Sequence, residues 1–192
     1  METLLSLCLG IGLAAACGFR IFAPLLAMSI AANTGHLALA GGFDWIGSRP
    51  ALIAFGVATV LELVAYYVPW LDNLLDTAAV PIAVVAGVVV TASVVTDVSP
   101  LLRWTLAAVA GGGAAGTTQG LSTLVRSVSS VTTGGLGNPL VATAEAGGSL
   151  ALSAFSLLAP LVAVVCLLVG CTVLLAMLLR WRGAQRLEYA RR

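Results

Sequence analysis

The chain has 192 residues, of which 60% are hydrophobic and only 9% charged, with a formal net charge of +1 and a mean hydropathy of +1.07. About a quarter of the residues in a soluble domain are charged, so too little charge is present here to cover a water-facing surface. Nucleic-acid binding, which needs a basic face on a soluble domain, is excluded, and an all-α, polytopic transmembrane helical bundle is predicted, as a single domain over residues 1–192.

Five apolar stretches follow one another: Thr3 to Asn33, Pro50 to Trp70, Thr77 to Thr96, Pro100 to Thr133 and Gly148 to Trp181. Leu4 to Ala16 has the apolar core of a signal peptide. Its flank carries Glu2 and no positive charge, and apolar character resumes at Ile21, so it reads as a retained first span. The second and third stretches have the length of ordinary spans. The first, fourth and fifth would each extend about 45 Å or more as straight helix, against a hydrocarbon core of ~30 Å. The first and fourth are expected to break, near Gly18 and Gly116. Between the second and third stretches, Leu71 to Asp76 reads as a short outer turn, with Asp76 capping the helix that starts at Thr77. Ser99 reads as an N-cap with Pro100 at the first helical position. Gly134 to Gly147 reads as an outer loop in which Asn138-Pro139 starts a short helix.

All nine basic residues are Arg, and five of them (Arg180, Arg182, Arg186, Arg191, Arg192) lie in the last thirteen positions. By the positive-inside rule the C-terminus is cytoplasmic, and with five crossings the segments holding Arg49 and Arg103 are also inside. The outer segments then hold Glu2, Asp72, Asp76 and Glu145 and no Arg. The expected location is the cytoplasmic (inner) membrane, multi-pass.

An internal repeat is visible. A shift of 98 residues lays Gly10, Ala14 and Gly18 on Ala108, Gly112 and Gly116, and a shift of 91 lays Gly56 to Pro69 on Gly147 to Pro160. Repeat one covers about 3–70 and repeat two about 100–181, with a linking span at 77–97 and a basic tail at 182–192. One extra span between the copies sets them in opposite directions, the inverted-repeat architecture of many transporters.

Polar groups at membrane depth need a partner or water. Arg20 follows Gly18 inside the first stretch, and Pro24, four residues on, frees the Arg20 carbonyl. Gln119, Ser122 and Arg126 lie on one face of the fourth segment. A lipid-facing helix would not carry such a stripe, so that face meets protein or water. Glu62, with Thr59 and Tyr66 on the same face of the second span, is either a coupling group or the partner of Arg20 or Arg126. Candidate substrate- or ion-binding residues are therefore Gly18, Arg20, Glu62, Gly116, Gln119, Ser122 and Arg126. The four Cys lie in apolar runs without metal-ligand pairing, and His36 stands in a loop without a partner set. No metal, cofactor or catalytic residue is expected, and the chain reads as a non-enzyme.

Gly18-Phe19-Arg20 before Pro24, then Glu62 with Pro69-Trp70 and the Asp72/Asp76 turn, resembles a bacterial family of small membrane proteins described as a domain of unknown function. The resemblance spans most of the chain. It implies a multi-span inner-membrane protein and supplies no activity.

The reading is a small transporter or channel for a small ion or polar solute, in contact with membrane lipid and acting as a homodimer through its glycine stripes. The alternative is a non-transporting membrane scaffold or lipid-handling protein. A water-accessible cavity reaching Arg126 and Glu62 would favour the conduit, and a stripe packed against another helix would favour the alternative.

Overall fold

The computed structural model describes residues 2–66, 69–170 and 172–173, with side chains described for all of these except 69–77. The basic tail at 182–192 lies outside the described residues. Among the described residues the α-helices run in the order α1 (Glu2–Cys17), α2 (Phe22–Asn33), α3 (Arg49–Ala65), α4 (Pro69–Val94), α5 (Pro100–Leu106), α6 (Gly113–Thr133) and α7 (Asn138–Leu158). A 3-10 turn at Asp44–Gly47 precedes α3, and a π-helical segment, Ala107–Gly112, joins α5 to α6. A further apolar helix, Pro160–Gly170, follows α7. Among the described residues there is no strand.

The all-helical expectation holds. Of the five expected spans, one described helix, α7, is by itself long and apolar enough to cross a membrane, while Glu2–Cys17, Phe22–Asn33, Ala78–Val94 and Pro160–Gly170 are shorter apolar helices. Ser99 and Pro100 start α5 as the sequence predicts, and Ser48 caps α3 in the same way. Ser48 and Ser99 place their hydroxyls on the amides of Ala51 and Leu102 at 3.3 and 3.4 Å, each followed within two residues by Pro.

The first stretch breaks where expected. The Gly18 amide donates to the carbonyl of Ala15 at 3.0 Å and those of Phe19 and Arg20 to the carbonyl of Ala16 at 3.1 Å, so α1 tightens and stops. Pro24 falls in the first turn of α2, where its missing N–H costs nothing. The fourth stretch is a correction. The helix passes through Gly116 without a break, and its irregularity is the wide-turn segment Ala107–Gly112 one turn earlier. No proline lies there to remove a backbone bond, so an extra residue is absorbed in the turn while the chain stays helical.

Three loops or boundaries also move. Leu71 to Asp76 belongs to α4, which begins at Pro69. Asn138-Pro139 starts the 21-residue α7, so Glu145 is helical and the fifth stretch starts ten residues earlier than its apolar run. That stretch in turn stops at Leu158 before Pro160. The turn between α6 and α7 is made by Gly134 and Gly135, whose φ values of 64° and 88° suit glycine.

α1 lies centrally, touching α2, α4, α6 and α7, while α4 also packs on the π-helical segment and α6. Leu13, Cys17, Met28, Ile46, Val90 and Val94 form the apolar core. Glycines set the closest crossings. A Cβ on Gly87 would lie 2.6 Å from the Ala115 Cβ and 2.7 Å from the Gly111 carbonyl oxygen, and one on Gly116 would lie 3.0 Å from Val84. Gly112 and Gly116 of the fourth stretch thus face α4 within the chain, whereas a Cβ on Gly120 would meet nothing within 4 Å.

Large apolar side chains also lie on the surface, and several polar ones lie inside. Ile53, Val57, Val60, Leu61 and Val64 of α3 and Leu140, Leu150, Phe155 and Leu158 of α7 are exposed. Buried instead are Arg20, Gln119, Arg126, Glu145, Ser149 and Ser153.

Gly87→Ala should lower stability by roughly 1–3 kcal/mol, because both atoms it meets are backbone or backbone-fixed. Gly113→Ala, which meets nothing within 4 Å, should leave the melting temperature unchanged or raise it. Thermal denaturation in detergent measures both, and equal effects would contradict the crossing.

Candidate functional site: a buried ion cluster at the helix break

The gap between α1 and α2 leaves backbone groups that must find partners. Its lower end is closed by α7, whose Ser149 hydroxyl donates to the Ala16 carbonyl at 3.0 Å and to that of Arg20 at 3.5 Å. Its upper end is closed by α3. The Glu62 carboxylate accepts from the amides of Ile21 at 2.8 Å and Phe22 at 3.1 Å, capping α2 in place of a side chain of its own N-cap residue, Ile21. Anionic oxygen at a helix N-terminus meets both the free N–H groups and the positive end of the dipole.

Arg20 leaves this gap and is 1% exposed. Its Nη2 donates to the Ala142 carbonyl at 2.8 Å and lies 3.3 Å from Glu145 Oε2. Arg126 of α6 reaches the same carboxylate: Nε donates to Oε1 at 3.1 Å and Nη2 to Oε2. The Ser122 hydroxyl, one turn before Arg126, also donates to Oε1. Glu145 therefore holds two guanidiniums and a hydroxyl. The Tyr66 ring lies beside both cations, with its centroid 3.7 Å from Arg20 Cζ and 4.4 Å from Arg126 Cζ, within cation–π range. Counting Glu62, two Arg face two Glu. Arg20 is still incompletely satisfied. Its Nε and Nη1 are buried and, among the described residues, without a hydrogen-bond partner.

Of the seven predicted site residues, Arg20, Ser122 and Arg126 meet at Glu145. Gly18 packs beside them, and a Cβ there would lie 2.5 Å from the Ala115 carbonyl oxygen and 2.6 Å from Thr118 Cβ. Glu62 joins the cluster from the far side of Arg20, but through backbone amides and not through a salt bridge. Gln119 is buried at 4% exposure on the same α6 face. Gly116 lies against α4, away from any break. Glu145 is the residue missed. The signal for it is the run Glu145, Ser149, Ser153, Ser156, which recurs at four, four and three residues on one face of α7 and is wholly buried. The flanking Gly147-Gly148 pair disguises it as a loop, although helices packed in apolar surroundings accept glycine.

A cavity of about 560 Å³ lies between α6, α7 and the Pro160–Gly170 helix. Its walls include Phe19, Leu121, Leu152 and Phe155, and its polar side is formed by Ser122 and Glu145. Neither Arg126 nor Glu62 lines it; they are 3% and 9% exposed. In the polar stripe of α6, Ser122 and Arg126 reach Glu145 on α7, and Gln119 lies beside Gly18 after α1.

Breaking a buried pair from the carboxylate side strands two cations, whereas removing Arg126 leaves the Arg20–Glu145 contact. Glu145→Gln should therefore cost about 3–5 kcal/mol and Arg126→Met distinctly less. Melting temperatures should fall in the order wild type, Arg126→Met, Glu145→Gln, and the reverse order would show that the carboxylate is not the hub.

No curated protein and no solved structure matches the chain. Residues 7–181 match the model of a family described as a domain of unknown function, DUF4126, and the chain belongs to that family.

Proposed function

We propose that the protein is a multi-pass, non-enzymatic protein of the cytoplasmic membrane that holds the apolar part of a lipid or other amphiphile beside its buried ion cluster. The observation that carries this reading is the apolar cavity, whose polar edge, Ser122 and Glu145, belongs to the cluster. Pockets of several hundred Å³ with apolar walls and a few converging polar groups are the usual form of a small-ligand site. The membrane setting is supported by the exposed Val, Leu and Ile of α3, α6 and α7, a distribution unfavourable in water. The Arg-rich end of the sequence supports a cytoplasmic C-terminus. Both α1 and the π-helical segment pack on α4, Gly10 and Gly111 each against Thr91, and this supports the inverted repeat.

A conduit for a small ion or polar solute, working as a homodimer, is the second reading. The break between α1 and α2, with Arg20 and Glu62 at its lip, favours it, since discontinuous helices frame the sites of many transporters. The packed α6 stripe favours the first.

In nanodiscs, a fluorescent acyl-chain probe should bind the wild-type protein saturably, and Leu152→Trp, which fills the cavity, should weaken it at least tenfold at unchanged melting temperature. Equal binding by both proteins would remove the lipid-handling reading. Flux of an ion or metabolite through proteoliposomes, altered by both Arg126→Ala and Glu62→Gln, would establish the conduit in its place.

A further inference from the structure

We infer that the cavity beside the ion cluster selects an uncharged amphiphile bearing a hydroxyl group, and that Thr118 binds this hydroxyl. The inference rests on the lipid-handling reading and names the class of molecule the cavity takes.

Thr118 lies in the cavity wall and is 4% exposed. Elsewhere on α6, Thr123, Ser127 and Thr132 donate to the carbonyl four residues earlier, at 3.0, 2.8 and 2.8 Å, a common partner for a helical hydroxyl. The Thr118 hydroxyl makes no hydrogen bond among the described residues. Phe19, Leu121 and Leu152 in the same wall have no polar side-chain atom to offer it. Leaving a polar group unmade in such surroundings is costly. A ligand hydroxyl placed against Thr118 removes that cost.

Ser122, one turn further along α6, supplies the second contact. It lines the same wall and gives its proton to Glu145, and its oxygen keeps the capacity to accept. Side chains four apart on a helix have Cβ atoms about 5–6 Å apart. One hydroxyl oxygen can therefore sit within reach of both, accepting from Thr118 and donating to Ser122.

The charge of the head group follows from the wall. Among the described residues that line the cavity, Glu145 alone is charged, and neither Arg20 nor Arg126 takes part. Both Glu145 oxygens are already used. Oε1 accepts from Ser122 and from Arg126 Nε, and Oε2 meets Arg126 Nη2 and, at 3.3 Å, Arg20 Nη2. A phosphate or carboxylate brought to this edge would meet a carboxylate with no cation in the wall, and like charges repel strongly in apolar surroundings. An ammonium would be a third cation on a carboxylate that already holds two. A hydroxyl meets neither obstacle.

The test is displacement of a fluorescent acyl-chain probe from the full chain in nanodiscs by three competitors of one chain length. Dodecanol, dodecyl phosphate and dodecyltrimethylammonium are compared at equal mole fraction in the bilayer. Dodecanol should displace the probe at a concentration at least about tenfold below that of either charged competitor. Thr118→Val, which keeps the shape and removes the hydroxyl, should weaken dodecanol about three- to tenfold and leave the charged competitors unchanged. It should melt no lower than wild type, because the hydroxyl it loses has no partner to strand. Thr118→Ser, which keeps the hydroxyl, should retain the preference. Equal competition by dodecanol and dodecyl phosphate would overturn the inference, as would equal displacement by dodecanol in wild type and Thr118→Val; either result leaves the cavity a lipid site. The order of the three competitors on wild type decides the matter even where Thr118→Val fails to fold. Failure of the probe to bind wild type saturably would remove this inference and the lipid-handling reading together.

Discussion

One carboxylate ties this chain together. Glu145 pairs with Arg20 at the end of the α1–α2 gap and accepts hydrogen bonds from Arg126 and Ser122 on α6, while itself sitting on α7. Three parts of the chain far apart in sequence therefore converge on two oxygen atoms. Burying such charges is expensive, and their mutual attraction compensates only when geometry and hydrogen bonding are nearly complete. Here the carboxylate is fully used and the shortfall falls on Arg20, two of whose nitrogens have no partner among the described residues. The rest of the interior is compatible with that demand. Small residues on α1, α4 and the π-helical segment bring the backbones close enough for side chains of ordinary length to reach the centre.

The break in the first stretch is held from both sides by foreign side chains. Ser149 of α7 donates to the carbonyls of Ala16 and Arg20 on either side of the gap, and Glu62 of α3 takes the amides of Ile21 and Phe22 at the start of α2. The interruption is therefore satisfied and specific. The fourth stretch solves the same problem of excess length differently, with a wide turn at Ala107–Gly112 that keeps the helix continuous. The two halves of the proposed repeat thus diverge where a proline is present in one and absent from the other. Only in the first half are backbone groups at the interruption met by side chains of other helices.

Much of this was legible in the residues. Arg20 and Arg126 are the two arginines with long apolar runs on both sides, and both are buried. Gly18 with Pro24 marks the break, and the Gln119, Ser122, Arg126 spacing marks the inward face of α6. Ser99-Pro100 marks a helix start. The failures share a cause: local composition was read as local structure. Gly147-Gly148 and Asn138-Pro139 look like loop, but glycine inside α7 is tolerated and proline at its first turn is favourable, so Glu145 was placed outside. Asp72 and Asp76 look like a turn, yet lie within the span of α4. Glu62 was read as either a coupling group or the partner of an arginine, and it takes backbone amides, a partner that side-chain spacing does not reveal. Gly116 was read as a point of weakness, and its bare Cα serves to admit Val84.

If Glu145 is the hub, its energy and that of Arg20 cannot be independent, although the two residues are far apart in sequence. A double-mutant cycle with Arg20→Met, Glu145→Met and the pair, followed by denaturant unfolding in detergent micelles, measures this directly. The account predicts that the double variant is more stable than the sum of the single losses implies, by at least about 1 kcal/mol, because Glu145→Met alone strands the Arg20 charge and removing Arg20 as well relieves that cost. Additivity to within about 0.5 kcal/mol would mean that the two groups do not share a site, and would contradict it.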